Sequence, residues 1–267
     1  MSKVVLVTGA SSGIGKAISI TLSQGGYKVF GASRSVETGT LVDGVTQLQL
    51  DVTNELSITK ALSYIKEKEG SIDVLVNNAG LGMIGALEST SARQVEEVFQ
   101  TNVYGVLNMC RAVIPFMREQ KRGTIINVTS IAGLMGLPFR GIYSASKSAV
   151  EGFSEALSAE VNQFGIKVII IEPGDFKTNI NENRRVAEIN TNIYEPFQSA
   201  VIAQVNKEVQ NAPDPALIGE ALIRILKKQN PRLRYKVATP FQRFSVLIRD
   251  IIPDRWFEKL VKRYYKM

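Results

Sequence analysis

Short apolar runs rich in β-branched residues alternate along the chain with longer segments whose apolar positions recur at helical spacing. The runs are Val4–Val7, Val29–Ala32, Leu48–Leu50, Val74–Val76, Ile125–Val128 and Val168–Ile171. They are too short for helices and lack polar alternation, so they predict strands covered on both faces. Between them, Lys16–Gln24, Glu55–Lys68, a long segment near Ser91–Gln120 and another near Ser144–Gln163 have the helical period. That alternation predicts an α/β fold built on a doubly wound parallel sheet with helices on both faces. In the longest segment Val95, Val98, Phe99, Val106, Cys110, Val113 and Met117 share one face, which makes Cys110 a packing residue. Ser91 with Gln94 predicts a capping box at its start.

After Pro173-Gly174 the alternation weakens. Residues 175–212 combine short helical patterns with Asn- and Glu-rich loops and exposed-looking aromatics, which predicts a lid over a site. Leu217–Lys228 predicts a further helix, Tyr235–Ala238 a last strand, and about 239–267 a basic, aromatic C-terminal extension. With no repeat, low-complexity stretch or linker, the 267 residues are expected to form a single domain.

Composition narrows the chemistry. The chain is 45 % hydrophobic and 21 % charged, as a globular protein with a buried core requires. It has no run of about 18 apolar residues, and its start does not resemble a signal peptide, so a cytoplasmic location is expected. One cysteine and no histidine exclude structural disulfides, Cys/His zinc sites and histidine-based triads. The net charge of +7 is uneven: residues 227–267 hold 12 Lys and Arg against 3 Asp and Glu, a net of +9, which leaves −2 for the rest. An acidic partner would therefore be met by the tail.

The first strand runs into Thr8-Gly9-Ala10-Ser11-Ser12-Gly13-Ile14-Gly15 and then a helix. Glycines at such a turn let the backbone approach a pyrophosphate, whose charge the free amides and the helix dipole favour. In Rossmann-like units an acidic residue about 20 positions on binds a free ribose 2′-OH, whereas an Arg accommodates the 2′-phosphate of NADP. Here Ser33-Arg34-Ser35 follows the second strand, and Arg34 can hold a phosphate bidentately; the alternative is a solvated Arg. Lys16 reads as a solvated helix residue. Asp51-Val52 follows the third strand, where Asp51 either meets an adenine edge or caps the helix near Glu55. Asn78-Ala79-Gly80 follows the fourth, its small residues leaving room for a cofactor at the switch in strand order.

Tyr143 and Lys147 project from one helix face four residues apart. An ammonium near a phenol favours phenolate, so the pair is the best acid/base candidate in a chain without histidine. Ser130, at the end of the fifth strand, supplies a hydroxyl for a substrate carbonyl. Asn102 sits mid-helix, where an amide usually has a reason such as orienting a water.

The Thr8–Gly15 turn, Asn78-Ala79-Gly80, Asn102, Ser130, Tyr143-Ser144-Ala145-Ser146-Lys147 and Pro173-Gly174 with Thr178 stand in one order. In that order they resemble a short-chain dehydrogenase/reductase of the Tyr-x-x-x-Lys type over roughly residues 3–180. The resemblance implies hydride transfer between nicotinamide and a carbonyl carbon, with Tyr143 exchanging the proton and Ser130 positioning the oxygen. It further implies that Lys147 binds the nicotinamide ribose and lowers the Tyr143 pKa, that Asn102 holds a water, and that Thr178 and the backbone after Pro173 contact the carboxamide. It implies a homodimer or homotetramer through the long helix and the Tyr143 helix. Ser12 stands where many NADP-using members place a basic residue, so the NADP(H) expectation rests on Arg34.

Leu81, Met83, Ile84, Leu134, Met135, Leu137, Pro138, Phe139, Phe176, Tyr194 and Phe197 are expected around the carbonyl, with no charged cluster. A bulky hydrophobic ketone or alcohol fits such a lining. The segment from Leu217 to Tyr235 resembles the steroid- and retinoid-handling branch; 3-oxoacyl and sphingoid ketones, small aldehydes, and a non-catalytic NADP-binding sensor or scaffold are the alternatives. In the tail, Trp256, Phe257, Leu260, Val261, Tyr264 and Tyr265 form one helical face, with Lys259, Lys262, Arg263 and Lys266 around the rest. Such a helix either lies peripherally on an anionic membrane or docks on its own domain. No recognition motif points to nucleic acid.

Overall fold

All six apolar runs become strands of one sheet, and their uninterrupted hydrophobicity is explained by what covers them. The computed structural model describes residues 2–178, 184–188 and 192–267. The first half runs β1 (Val4–Thr8), α1 (Gly13–Gln24), β2 (Lys28–Ser33), β3 (Leu41–Val42), β4 (Val45–Gln49), α2 (Glu55–Glu69), β5 (Val74–Asn77), β6 (Met83–Ile84), α3 (Ala92–Phe99), a π-helical turn Gln100–Tyr104 and α4 (Gly105–Glu119). The second runs β7 (Gly123–Val128), α5 (Gly141–Val161), β8 (Ile166–Pro173), β9 (Arg185–Val186), α6 (Phe197–Gln210), α7 (Ala216–Leu226), β10 (Arg234–Val237), α8 (Pro240–Ile251) and α9 (Asp254–Tyr265).

The main sheet has the order β10-β8-β7-β5-β1-β2-β4-β3, parallel throughout except for β3 against β4. Successive residues of β1 feed opposite cores: Leu6 packs with Leu75, Ile125, Met109 and Val150 on one face, while Val5 and Val7 pack with Ile18, Leu22 and Leu222 on the other. The strand order reverses between β1 and β5, so the chain leaving Thr8 and the chain leaving Asn77 diverge there and open a crevice.

Several elements differ from the sequence reading. The strand expected at Leu48–Leu50 is β4, which begins at Val45 because Asp43-Gly44, both with positive φ, turn β3 back onto it. The long helix is capped as expected by Ser91 and Gln94, but its middle is π-helical, with Asn102 wholly buried in that turn. Pro115 lies inside α4. Within the expected lid, residues 179–183 and 189–191 lie outside the described residues, and 197–210 form the regular helix α6. The tail is two helices rather than one. Tyr265 and Val261 of α9 pack on Val201 and Val205 of α6, so α9 docks on its own domain. No helix among the described residues is long and apolar enough to cross a membrane.

Candidate active site

The glycine turn after β1 is shaped by close approach. Gly9 has φ +68°, and an added Cβ there would lie 2.8 Å from Ala79 Cα; at Gly15 it would run into the Asn78 amide and the Gly9 carbonyl. Gly13 also takes a positive φ, beneath Thr178. Thr8 Oγ1 accepts from the backbone N–H of Asn78 at 3.0 Å and of Ala79 at 3.1 Å, and Asn78 Nδ2 donates to Thr8 O at 3.0 Å. Asn78 therefore braces the turn against the end of β5.

A cleft of about 450 Å³ follows, lined by Gly9, Ser11, Ser12, Gly13, Ile14, Arg34, Asp51, Val52, Asn78, Ala79, Gly80, Tyr143, Lys147 and Thr178. Of the expected cofactor residues, Gly15 lies behind the turn, and Pro173 and Gly174 border the adjoining chamber instead. Arg34 is exposed, and among the described residues it forms no ion pair. Asp51 is not the cap of α2: Asn54 Oδ1 accepts from Ser57 N at 2.9 Å, while Asp51 Oδ1 accepts from the Thr53 N–H and hydroxyl. The nearer Asn54 is in register with the first turn, and Asp51 closes a local turn at the cleft wall. Lys16 is solvated, 4.0 Å from Asp43. The walls thus present a glycine cradle where phosphate charge can meet backbone amides, and the residues present fit a dinucleotide.

Tyr143, Lys147 and Ser130 converge beside this cleft. Lys147 is 6 % exposed, and its Nζ donates to Val128 O at 2.9 Å. Burial lowers its pKa to about 8, with Glu151 opposing the shift. Tyr143 contradicts the sequence reading: burial pushes its phenol up, and the influences pulling it down are Arg140 and the Ser130 hydroxyl. Lys147 Nζ is 6.0 Å from the Tyr143 ring centroid and is engaged by the end of β7, which is why helical spacing overstated the coupling. Ser130 Oγ accepts from Ala132 N at 3.1 Å. Asn102 Nδ2 donates to Leu81 O and to Ser146 Oγ, and Ser146 Oγ donates to the Tyr143 carbonyl at 2.7 Å. The π turn therefore clamps the loop after β5 to the first turn of α5.

Two cavities adjoin Ser130, and the smaller also reaches Tyr143. A narrow chamber of about 80 Å³ is bordered by both, with Met83, Ile84 and Phe176. A larger apolar cavity of about 420 Å³ lies under α8 and α9, walled by Met135, Leu137, Ile248, Leu260 and Val261. Ser130, Arg140, Gly174 and Asp175 border both. Leu81 faces the cofactor cleft. Tyr194 packs edge-on against Phe139, and Phe197 is exposed.

The expectation of an uncharged surround is corrected: Arg140, Asp175 and Arg184 all border the chamber. Arg140 follows Phe139, whose left-handed backbone (φ 56°) is held by Gly85 N donating to its carbonyl at 2.7 Å. Gln242, the N3 residue of the α8 capping box, donates to Asp175 Oδ2 at 2.7 Å. These residues come from separate elements with no common spacing, and the one local signal was Asp175 directly after Pro173-Gly174. Cys110 is buried core: Asn77 donates to its Sγ, and burial pushes its thiol up to about 12.

Comparison with known proteins agrees with this geometry. The family model described as short chain dehydrogenase matches residues 3–189. The chain is 41 % identical over 266 residues to 3-ketodihydrosphingosine reductase of Bacteroides thetaiotaomicron, covering 98 % of each. It is 30 % identical to retinol dehydrogenase 8 of Bos taurus, over 90 % of this chain and 82 % of that one. A short chain dehydrogenase/reductase of Burkholderia phymatum, solved in complex with NAD, superposes with a TM-score of 0.80 at 27 % identity, over 93 % of both chains.

Proposed function

Because this chain belongs to the short-chain dehydrogenase family, oxidoreductases that work with a nicotinamide cofactor, we propose that it is an NADP(H)-dependent reductase of a long-chain, lipid-like ketone. The observation that carries this reading is a chain of three spaces through the narrow chamber: Tyr143 borders the dinucleotide cleft and the chamber, and Ser130 borders the chamber and the apolar cavity. The cofactor supplies the hydride. Ser130 Oγ hydrogen-bonds the ketone oxygen, and the Tyr143 hydroxyl delivers the proton that completes the alcohol. Burial keeps that phenol protonated at neutral pH, which suits an acid working in the direction of reduction. Lys147 offers an ammonium to the cofactor cleft, and Gly80 keeps the gap beside it open, since a Cβ there would lie 3.6 Å from Nζ. Arg34 is the group that would hold a 2′-phosphate.

A sphingoid ketone is favoured over a steroid by the similarity to the Bacteroides reductase and by an apolar cavity reached through a neck bordered by charged groups. The expected outcome is loss of NADPH absorbance with 3-ketodihydrosphingosine, and slower loss with retinal, a keto steroid, a 3-oxoacyl thioester and a short aldehyde. Turnover confined to the short aldehyde would reject the lipid reading, and turnover of none would leave a cofactor-binding sensor or scaffold.

The proposal extends to where the substrate is met. Phe241, Phe244, Leu247 and Ile251 form an exposed stripe on α8, and Trp256 and Leu260 another on α9, within the segment of net charge +9. Phe241, Phe244 and Leu260 also border the apolar cavity, so an anionic bilayer touching the stripes would lie at its mouth. Self-association into a homodimer or homotetramer belongs to the same proposal, and sedimentation equilibrium measures it.

A further inference from the structure

The reaction as proposed gives no task to the charged groups at the chamber, and among its described lining residues Asp175 is the one acid. Asp175 follows Pro173-Gly174, where β8 ends, and borders both the chamber at Tyr143 and the apolar cavity under the closing helices. Its hydrogen-bond partner, Gln242, is neutral, and among the described residues Asp175 forms no ion pair. Arg140 acts on it electrostatically, but that guanidinium also lies 5.4 Å over the Tyr143 ring. Arg184 Nη2 donates to Asn206 Oδ1 at 2.8 Å. Each arginine thus has a further partner of its own, whereas the one hydrogen bond to the carboxylate comes from an amide. Burial pushes the Asp175 carboxyl above its usual range, a cost that an arriving cation would offset.

We infer that Asp175 is a specificity residue that receives the protonated amine of a substrate whose amine and ketone stand on neighbouring carbons at the head of a long alkyl chain. The inference rests on the proposed function and adds the head-group chemistry to it. A ketone oxygen at Ser130 and Tyr143 sits in the chamber that Asp175 also borders, so an ammonium one carbon away faces the carboxylate. The alkyl chain then leaves through the neck toward Met135, Leu137, Ile248 and Val261.

The test is steady-state kinetics of the full chain with NADPH and three ketones: 3-ketodihydrosphingosine, its N-acetyl derivative, and the same ketone with hydrogen in place of the amine. The wild type is expected to favour the free amine in kcat/KM by about tenfold to a hundredfold, the worth of a charge-assisted contact, and acetylation should remove that preference. In Asp175→Asn the ratio between the amino and des-amino ketones should collapse toward one, chiefly through KM, and Asp175→Glu should restore part of it. A wild type that treats the three ketones alike overturns the inference, as does an Asp175→Asn enzyme with its ratio intact. Preference for a long-chain ketone bearing a carboxylate would overturn it in favour of Arg140. If Asp175→Asn does not fold, the N-acetyl comparison in the wild type decides. Reduction of none of these ketones while retinal or a steroid is reduced rejects the functional reading itself, and this inference with it.

Discussion

Asn102 Oδ1 accepts from Leu81 N at 2.7 Å while its Nδ2 donates back to Leu81 O at 2.9 Å, so a helix side chain pairs with a loop as one strand pairs with another. Asn102→Leu would leave two peptide groups without partners beside the catalytic helix. Unsatisfied buried peptide groups cost about 1–3 kcal/mol each, so a loss of about 2–6 kcal/mol is expected in urea denaturation, together with reduced kcat. A variant as stable as the wild type would show that the loop does not depend on this pair.

Arg34 is expected to set the cofactor preference. Arg34→Asp should weaken NADPH binding about tenfold to a hundredfold and shift the preference toward NADH, read by fluorescence titration of each nucleotide. A wild type that already prefers NADH contradicts the assignment.

Tyr143→Phe keeps the ring and removes the proton donor. A fall in kcat of about 10²–10⁴-fold is expected, with NADPH affinity nearly unchanged. Near-normal turnover would mean that another group delivers the proton.

Lys147 makes the stability of the cofactor-free protein depend on pH. Its folded pKa of about 8 lies below the ordinary 10.5. Between those values the unfolded chain holds a proton that the folded chain has released, so stability rises with pH across that window. Denaturation midpoints compared from pH 7.5 to 9.5 should show this rise in the wild type and a flatter profile in Lys147→Met. Identical profiles would place the Lys147 pKa elsewhere.

The tail should bring the enzyme to lipid. Vesicles containing phosphatidylglycerol should sediment the protein at low salt, with release as salt rises, because each basic residue at an anionic surface contributes about 1 kcal/mol. Replacing Leu247, Ile251 and Trp256 together by Ser should weaken sedimentation without lowering the melting temperature, since all three are exposed and none lines the apolar cavity. Sedimentation with phosphatidylcholine alone, or with no lipid composition, would reject the charge-led account.

What could be read from the sequence follows from the range over which each feature is determined. The strands and the glycine turn were legible because Val4–Val7 and Gly9–Gly15 carry their constraints within a few residues, as do Tyr143 and Lys147 on one helix face. Spacing did not reveal which acceptor the Lys147 ammonium takes, and so the Tyr143 phenol was expected to be lowered where burial raises it. The π turn left the helical period nearly intact, and the partner its Asn102 meets, Leu81, is 21 residues away. The charged neck was hidden for the same reason: Asp175 and Gln242 are 67 residues apart, and each reads alone as an ordinary loop or helix polar residue.

Gln242 belongs at once to the capping box that starts α8 and to the hydrogen bond that holds Asp175. Beyond it, α8 and α9 supply no strand to the sheet and no residue to the glycine turn, yet they wall the apolar cavity. Exchanging residues 239–267 for another helical pair could therefore change the length and shape of the lipid accepted while the reacting centre stays as it is. Such an exchange would have to keep a glutamine at the third helical position, which holds the neck, and the Val261 and Tyr265 contacts that seat α9 on α6.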